Sequence, residues 1–544
     1  MPPTRLVVVG GSDAGISAAL RARELDQGSD VTVVVADAYP NFSICGIPYY
    51  VAGDVGHWSD LAHRTADDLN ATGMRVLADT LATSIDVTGH RLAVRGPDGQ
   101  TRLLPYDSLV VGTGAISARP PIAGLSGPDA VGAADGLHLL HSMTDTFELM
   151  ASIERRRPST AVVIGAGYIG LEMTEALTAR GIAVTQVEAL PEVLPTVDPE
   201  LGALVRAELT SHGVEVVTGT TIASLERDAA GRLLVRGAGP DGEPFTRPAD
   251  LVLVVVGVRP DATLAAAAGA RLGVKGAIDV DPEMRTNLPD VYAAGDCAVT
   301  HHRQLGTTWL PLGTTAHKQG RVAGENALGG QRWFAGSQGT QVVKVFDLVT
   351  ARTGLRDHEA TAASRGWDPL TTASNPDDHK AFYPGARPIA IRVTGDQRSG
   401  LLLGAQLVGR LGTEIAKRVD TYATALFHGM TVDRISDLDL SYTPPLGSPW
   451  DAVQIATQTW TRKRPASAPQ RSAAPAPEPK ASSQKPIVKR TRSSAPARSP
   501  WPGNTAPSRA AHLPLPVTPS PMRVSRHADV VAAFRGALAH SPRR

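Results

Sequence analysis

The chain has 544 residues, room for three or four domains at about 150 residues each, and its 42% hydrophobic share is that of a globular protein with an ordinary buried core. Two cysteines exclude a disulfide-stapled scaffold and a cysteine-built zinc or iron–sulfur site, and the longest aliphatic run, 251–256, is far below the roughly 18 residues that a membrane-spanning helix needs. The net charge of +1 hides a division: 463–544 holds 15 of the 54 basic residues against only Glu478 and Asp529, which leaves 39 basic and 51 acidic residues in 1–462.

No secretory leader precedes the first strand, so the cytoplasm is the expected location. The β-branched run 6–9 leads into Gly10-Gly11-Ser12-Asp13-Ala14-Gly15; a helix over 16–25 and a strand over 31–35 follow, ending near Asp37. A second unit repeats the plan. Residues 161–164 lead into Gly165-Ala166-Gly167-Tyr168-Ile169-Gly170, a helix over 171–179 and a strand over 184–187, ending at Glu188. Glycines at this spacing let the backbone come close to a pyrophosphate seated on a helix N-terminus, and Asp37 and Glu188 are spaced to bond a ribose diol. Two such units, each followed by an acid, point to two dinucleotide sites. Ser12 replaces the second glycine of the first turn. Glu188 is followed by Ala189 and Leu190 with no arginine to neutralise a 2'-phosphate, which favours NADH and leaves NADPH open.

Between the units lies Asn41-Phe42-Ser43-Ile44-Cys45-Gly46-Ile47-Pro48-Tyr49-Tyr50. Gly46 and Pro48 suit the opening of a helix, which would place Cys45 at a positive terminus and lower its thiol pKa. Val111-Gly112-Thr113-Gly114-Ala115, Gly257-Val258-Arg259-Pro260 and the stretch from Thr286 through Gly295-Asp296 follow in order.

Across 5–457 this series resembles the FAD-dependent pyridine nucleotide-disulfide oxidoreductases, in their single-cysteine branch of coenzyme A-disulfide reductases, NADH oxidases, NADH peroxidases and persulfide reductases. The resemblance implies an α/β fold with two nested Rossmann-like domains: an FAD-binding domain from 1–118 and 258–330 around an NAD(P)-binding domain at 119–257, then an α+β dimerisation domain at 331–462. It implies FAD at the first turn (Gly10, Gly11, Ser12, Asp13, Ala14, Gly15, Asp37), with Gly112, Thr113, Gly114, Gly295 and Asp296. It implies NADH at Gly165, Gly167, Tyr168, Ile169, Gly170, Glu188 and Gly257. Hydride then passes from nicotinamide to flavin and the electrons on to Cys45, the cofactors carrying the redox chemistry.

Dithiol members of the family pair this cysteine with a second one five residues on, where this chain has Tyr50. Cys45 must then cycle as a mixed disulfide with a small thiol or as a sulfenic acid. Peroxidases and many oxidases of the branch carry a histidine where this chain has Asp13, a negative charge that disfavours a sulfenate beside it. Tyr383 and Tyr442 match tyrosines that reach the partner subunit's cysteine and donate a proton to a leaving thiolate; interface packing is the alternative. Arg21, Arg23 and Asn41 are candidate contacts to coenzyme A, with solvated arginines as the alternative. Ile44 stands where the reductases carry asparagine. The histidine pairs His138/His141 and His301/His302 have no third ligand, so no metal site is expected.

The expected function is NADH-dependent reduction of a small disulfide or persulfide, coenzyme A disulfide first, by a homodimer. The alternatives are an NADH oxidase and, from another class, a redox-sensing binding protein acting through its tail. That tail, 463–544, holds 15 of the 42 prolines and reads as disordered Pro/Ala/Ser/Arg-rich sequence. A helical spacing of Val530, Val531, Phe534 and Leu538 interrupts it. With no aromatic interleaving or reader motif, nucleic acid is not an expected partner.

Overall fold

Two parallel sheets, each built of short runs of valine, leucine and isoleucine, organise the N-terminal two thirds of the chain; strands covered on both faces read as continuous apolar runs. The computed structural model describes residues 3–127 and 130–465. In the first sheet the order is Val291–Ala293, Ser108–Val111, Arg5–Val9, Asp30–Val34 and Arg75–Leu77, all parallel. In the second it is Glu215–Val217, Ala183–Val187, Thr160–Ile164, Leu251–Val254 and Leu137–Leu139, also parallel. The strand 291–293 thus returns to the first sheet after the whole second sheet has been laid down. Ala115–Ser117 and Val258–Pro260 pair antiparallel where the chain leaves the first unit and re-enters it.

Residues 341–410 form a third, antiparallel sheet in the order Gln341–Val345, Leu348–Gly354, Leu402–Arg410, Ala390–Asp396 and Pro369–Ser374. Helices Ile415–Phe427 and Ala452–Lys463 pack on it, with Tyr422 and Trp460 fully buried.

Four helices position the site: α1 (Asp13–Leu25), α2 (Ile47–Ala52), α3 (Tyr168–Ala179) and α4 (Gly313–Asn326). Both α1 and α3 begin three residues before their expected starts, because the last residues of each glycine turn are already helical. Helices α1 and α4 touch backbone to backbone, since a Cβ on Gly320 or Gly324 would lie 2.2 Å from the carbonyl oxygen of Ala14 or Ala18. The expected disordered tail and its helical interruption at 530–538 lie almost wholly outside the described residues; the described helix Ala452–Lys463 runs one residue past the expected boundary at 462.

Candidate active site

The two glycine turns are built alike. Gly10 has a φ of +115°, and a Cβ there would sit 2.0 Å from the Gly112 carbonyl oxygen. Gly15 and Gly170 lie behind the turns: their Cβ atoms would come 2.1 Å from the Gly10 oxygen and 1.9 Å from the Gly165 oxygen, so they seat the helices on the strands. Ser12 and Gly167 cap α1 and α3 with extended backbone and no side-chain hydrogen bond. A Cβ on Gly167 would meet no atom at all. The uncapped first-turn N–H groups of both helices are anion seats, the second opened further at Gly167, and both fit the pyrophosphate of a dinucleotide.

One cleft of about 2010 Å³ joins both turns to Cys45. Gly10, Gly11, Ser12, Asp13, Asp37, Gly112, Thr113, Gly114, Gly165, Gly167, Tyr168, Ile169, Glu188, Gly257 and Asp296 all line it. Ala14 and Gly295 stand behind it, packed so closely that a Cβ on Gly295 would be 2.7 Å from that of Ala14. Glu188 accepts from the backbone N–H of Ala166 at 2.7 Å and of Leu190 at 2.9 Å, which ties the acid to the second turn. Asp37 accepts from the Tyr39 N–H at 2.9 Å; burial nonetheless pushes its carboxyl up. Asp296 is pushed up to about 6, by burial first and then by Asp13.

Cys45 is exposed, but into this cleft. It sits in the single 3₁₀ turn Ile44–Gly46, followed by α2, which Gly46 caps and Pro48 opens as expected. The expected lowering of its thiol pKa is corrected. Burial within the protein pushes the thiol up, and the carboxylates of Glu172, Asp13 and Asp296 add to the effect; a helix of six residues offers little against three acids. The second cysteine, Cys297, is fully buried, with its Sγ against the carbonyl oxygens of Val111 (3.5 Å) and Ala294 (3.4 Å).

Glu172 was not singled out by the sequence. It lies on α3 and lines the cleft, and the Tyr49 hydroxyl donates to its Oε1 at 3.5 Å. One turn on, Glu175 pairs with Lys344 of the third sheet and accepts from the Phe346 N–H at 2.8 Å. A glutamate four residues into a glycine-turn helix was the available signal, but only the fold reveals its neighbour on α2.

Of the candidate catalytic and substrate residues, all but Cys45 stand away from the cleft lining. Arg21 pairs with Glu325 at 2.7 Å and Glu24 at 3.1 Å. Arg23 donates to the carbonyl oxygens of Thr72 at 3.0 Å and Ser29 at 2.7 Å. Both guanidiniums are therefore spent inside the protein rather than held out for a ligand. Asn41 is buried with a φ of 59°; its N–H donates to Gly11 at 2.6 Å while its Oδ1 has no partner. Tyr383 and Tyr442 are half-exposed on the C-terminal domain, with Phe382, Leu446 and Trp450 also exposed. The Lys380 N–H donates to Pro444 at 3.4 Å, which draws the two tyrosine loops together.

Known proteins resemble this chain in sequence and fold. The profile of the pyridine nucleotide-disulphide oxidoreductases matches residues 4–320, and that of their dimerisation domain matches 340–452. An NADH oxidase of Methanocaldococcus jannaschii is 29% identical over 463 residues, spanning 84% of this chain and 99% of that protein. A CoA-dependent NAD(P)H sulfur oxidoreductase of Pyrococcus furiosus is 33% identical over 458 residues, spanning 84% of this chain and 98% of that protein. The solved NAD-dependent persulfide reductase of A. fulgidus superposes with a TM-score of 0.78 at 36% identity, covering 85% of this chain and 84% of that one.

Proposed function

The chain belongs to the pyridine nucleotide-disulphide oxidoreductase family, and from that premise we propose that it uses NADH to reduce a small disulfide or persulfide at Cys45, coenzyme A disulfide first. The observation that carries this reading is that Cys45 opens into the cleft shared by both nucleotide turns while the other cysteine is sealed in the core. No intramolecular disulfide partner is at hand, so the sulfur that Cys45 exchanges with must arrive on a substrate.

Members of this family bind FAD and NAD(P)H, and the flavin supplies a two-electron relay between nicotinamide and sulfur. The remaining tasks fall to the chain. The N-termini of α1 and α3 hold the two pyrophosphates, and Asp37 and Glu188 hold the riboses. Ala189 and Leu190, beside Glu188 in the cleft, offer no cation to a 2'-phosphate, which favours NADH. Three carboxylates around the Cys45 sulfur favour its neutral forms, so the surroundings suit a mixed disulfide better than a sulfenate. The matched dimerisation domain and the exposed loops at Tyr383 and Tyr442 support a homodimer in which those phenols approach the partner subunit's Cys45.

A second reading, NADH oxidase, is favoured by the name of the M. jannaschii relative. Anaerobic NADH consumption by FAD-loaded protein, with coenzyme A disulfide, glutathione disulfide and a persulfide offered separately, tests the first reading. Rapid turnover on one of them supports it and names the carrier. Turnover only in air, with no acceptor but oxygen, replaces it with the second.

A further inference from the structure

The loop 194–198 runs between the second glycine turn and the third sheet, and it is tied at both ends. At one end Leu194, in a left-handed conformation with a φ of 50°, donates its N–H to the carbonyl oxygen of Ala166, inside the turn, at 2.9 Å. At the other the Asp198 N–H donates to Oε1 of Gln406 at 2.7 Å, and the Asp198 carboxylate accepts from Nε2 of the same amide at 2.8 Å. Gln406 lies in the central strand of the third sheet, Leu402–Arg410.

Between these ends two arginines of the C-terminal domain hold the loop by its backbone. Arg352 donates from Nη1 to the carbonyl oxygen of Thr196 at 2.7 Å, and Arg356 donates from Nη1 to those of Pro195 and Val197, both at 2.9 Å. All three carbonyls of 195–197 are therefore taken. One carboxylate joins the two guanidiniums: Glu359 accepts from Nη2 of Arg352 at 2.7 Å and from Nη2 of Arg356 at 2.8 Å. The arginine side chains are only 10% and 13% exposed. Burial acts to raise the Glu359 carboxyl, but the hydrogen bond and charge of Arg352, with Arg356 behind them, hold it down at about 2, so the triad stays ionised. A buried triad with this many directed bonds holds its neighbours in place, since a shift of the loop would leave charge unpaired.

The same loop reaches the cleft. Pro195 lines it, and the Thr196 hydroxyl donates to the hydroxyl of Tyr168 at 3.1 Å. Tyr168 is the first residue of α3 and lines the cleft, so it stands at the helix terminus that seats the second pyrophosphate. A chain of bonds thus runs from Glu359 through Arg352 and Thr196 to the aromatic residue of the second turn, although neither arginine lines the cleft.

We propose that Thr196, its backbone gripped by Arg352 and Arg356, is a positioning residue for the nicotinamide nucleotide: it fixes the Tyr168 ring at the second seat, so that the C-terminal domain sets the affinity for NADH. This rests on the reading of the second turn as the NADH seat and is independent of which disulfide Cys45 meets. A ring already held when the nucleotide arrives need not be ordered by it, whereas a ring set free must be, at a cost in affinity. Exchange at Cys45 uses other groups, so the effect falls on binding and not on the later steps.

The test reads binding apart from turnover. NAD+ is titrated calorimetrically into FAD-loaded protein, and steady-state kinetics are followed with NADH and coenzyme A disulfide. Thr196→Val removes the hydroxyl and keeps the branched shape. It is expected to raise the Kd for NAD+ and the KM for NADH by about threefold to tenfold, the scale of one side chain immobilised on binding. The same variant is expected to hold kcat and the KM for the disulfide within about twofold. Thr196→Ser, which keeps a hydroxyl, is expected to recover most of the affinity. Arg352→Lys keeps the charge without the fork and is expected to weaken NAD+ by at least about threefold. In a Tyr168→Phe background, Thr196→Val is expected to add less than about twofold, because the hydroxyl has lost the group it acts through. Thr196→Val, at a half-buried site, decides the matter even where Arg352→Lys does not fold. An unchanged Kd in Thr196→Val or in folded Arg352→Lys, a full further loss in the Tyr168→Phe background, or a fall in kcat as large as the rise in KM overturns the assignment. Wild-type protein that binds no NAD+ overturns the reading of the second seat and the assignment together. Wild-type protein that binds NAD+ but reduces no disulfide overturns the proposed function alone, and the titrations still decide the assignment.

Discussion

The Tyr49 hydroxyl donates to Oε1 of Glu172 at 3.5 Å, joining the helix that follows Cys45 to the helix that opens at the second nucleotide turn. Glu172 and Glu175 are one turn apart on α3, and their surroundings separate them. Glu175 has the Lys344 ammonium, whereas burial pushes Glu172 up to about 7, opposed by the Tyr49 hydrogen bond and reinforced by the charge of Glu175.

A carboxyl raised from 4.5 to about 7 keeps a proton in the folded chain that the unfolded chain has already released. Stability therefore falls as pH rises through that window and stays lower above it. Glu172→Gln is expected to flatten this dependence and, at pH 8, to exceed wild type by on the order of 2 kcal/mol. Urea unfolding of both proteins at pH 5 and pH 8 checks it; parallel losses in the two would show that Glu172 is already ionised.

Arg21 is committed to Glu325 and Glu24 on the α1–α4 face. Arg21→Ala is expected to leave the KM for coenzyme A disulfide within about twofold and to cost up to about 1 kcal/mol of stability, the scale of a part-exposed ion pair. A large rise in KM would restore Arg21 as a substrate contact.

The nicotinamide preference turns on the residues after Glu188. Ala189→Arg introduces a guanidinium at the cleft wall, and kcat/KM for NADPH is expected to rise by about tenfold or more, with that for NADH falling less. Steady-state kinetics with both nucleotides decide it. No change would place the 2'-position elsewhere in the cleft.

Leu446 and Trp450 stand exposed beside the loops of Tyr383 and Tyr442, with 77% and 54% of their surfaces open. The double substitution Leu446→Asp, Trp450→Asp is expected to yield monomers in sedimentation velocity. Disulfide turnover is expected to fall by at least about tenfold, the scale of losing a positioned acid, with flavin reduction by NADH retained. A dimer that survives would move the interface away from these loops.

The sheets, both glycine turns and the placement of Cys45 were legible because each depends on residues close in sequence: an apolar run, a turn, a helix start. The groups that tune the site were not. Arg21 and Glu325 are 304 residues apart, and Arg352 and Thr196 are 156 apart. In the sequence Arg352 is one polar residue in a strand; only the packing of the third sheet against the loop 194–198 gives it its partner. The thiol pKa of Cys45 was misjudged for the same reason. Its local helix terminus is visible in the sequence, but two of the three acids that outweigh it, Glu172 and Asp296, arrive from distant segments.

The most direct measurement is the yield of free thiol per NADH consumed, under argon with coenzyme A disulfide, for wild type and Cys45→Ser. With Cys45 as the exchanging sulfur, wild type forms about two thiols per NADH, and the variant forms none while NADH still reduces its bound flavin. A variant that releases thiol at the wild-type rate would contradict a route through Cys45.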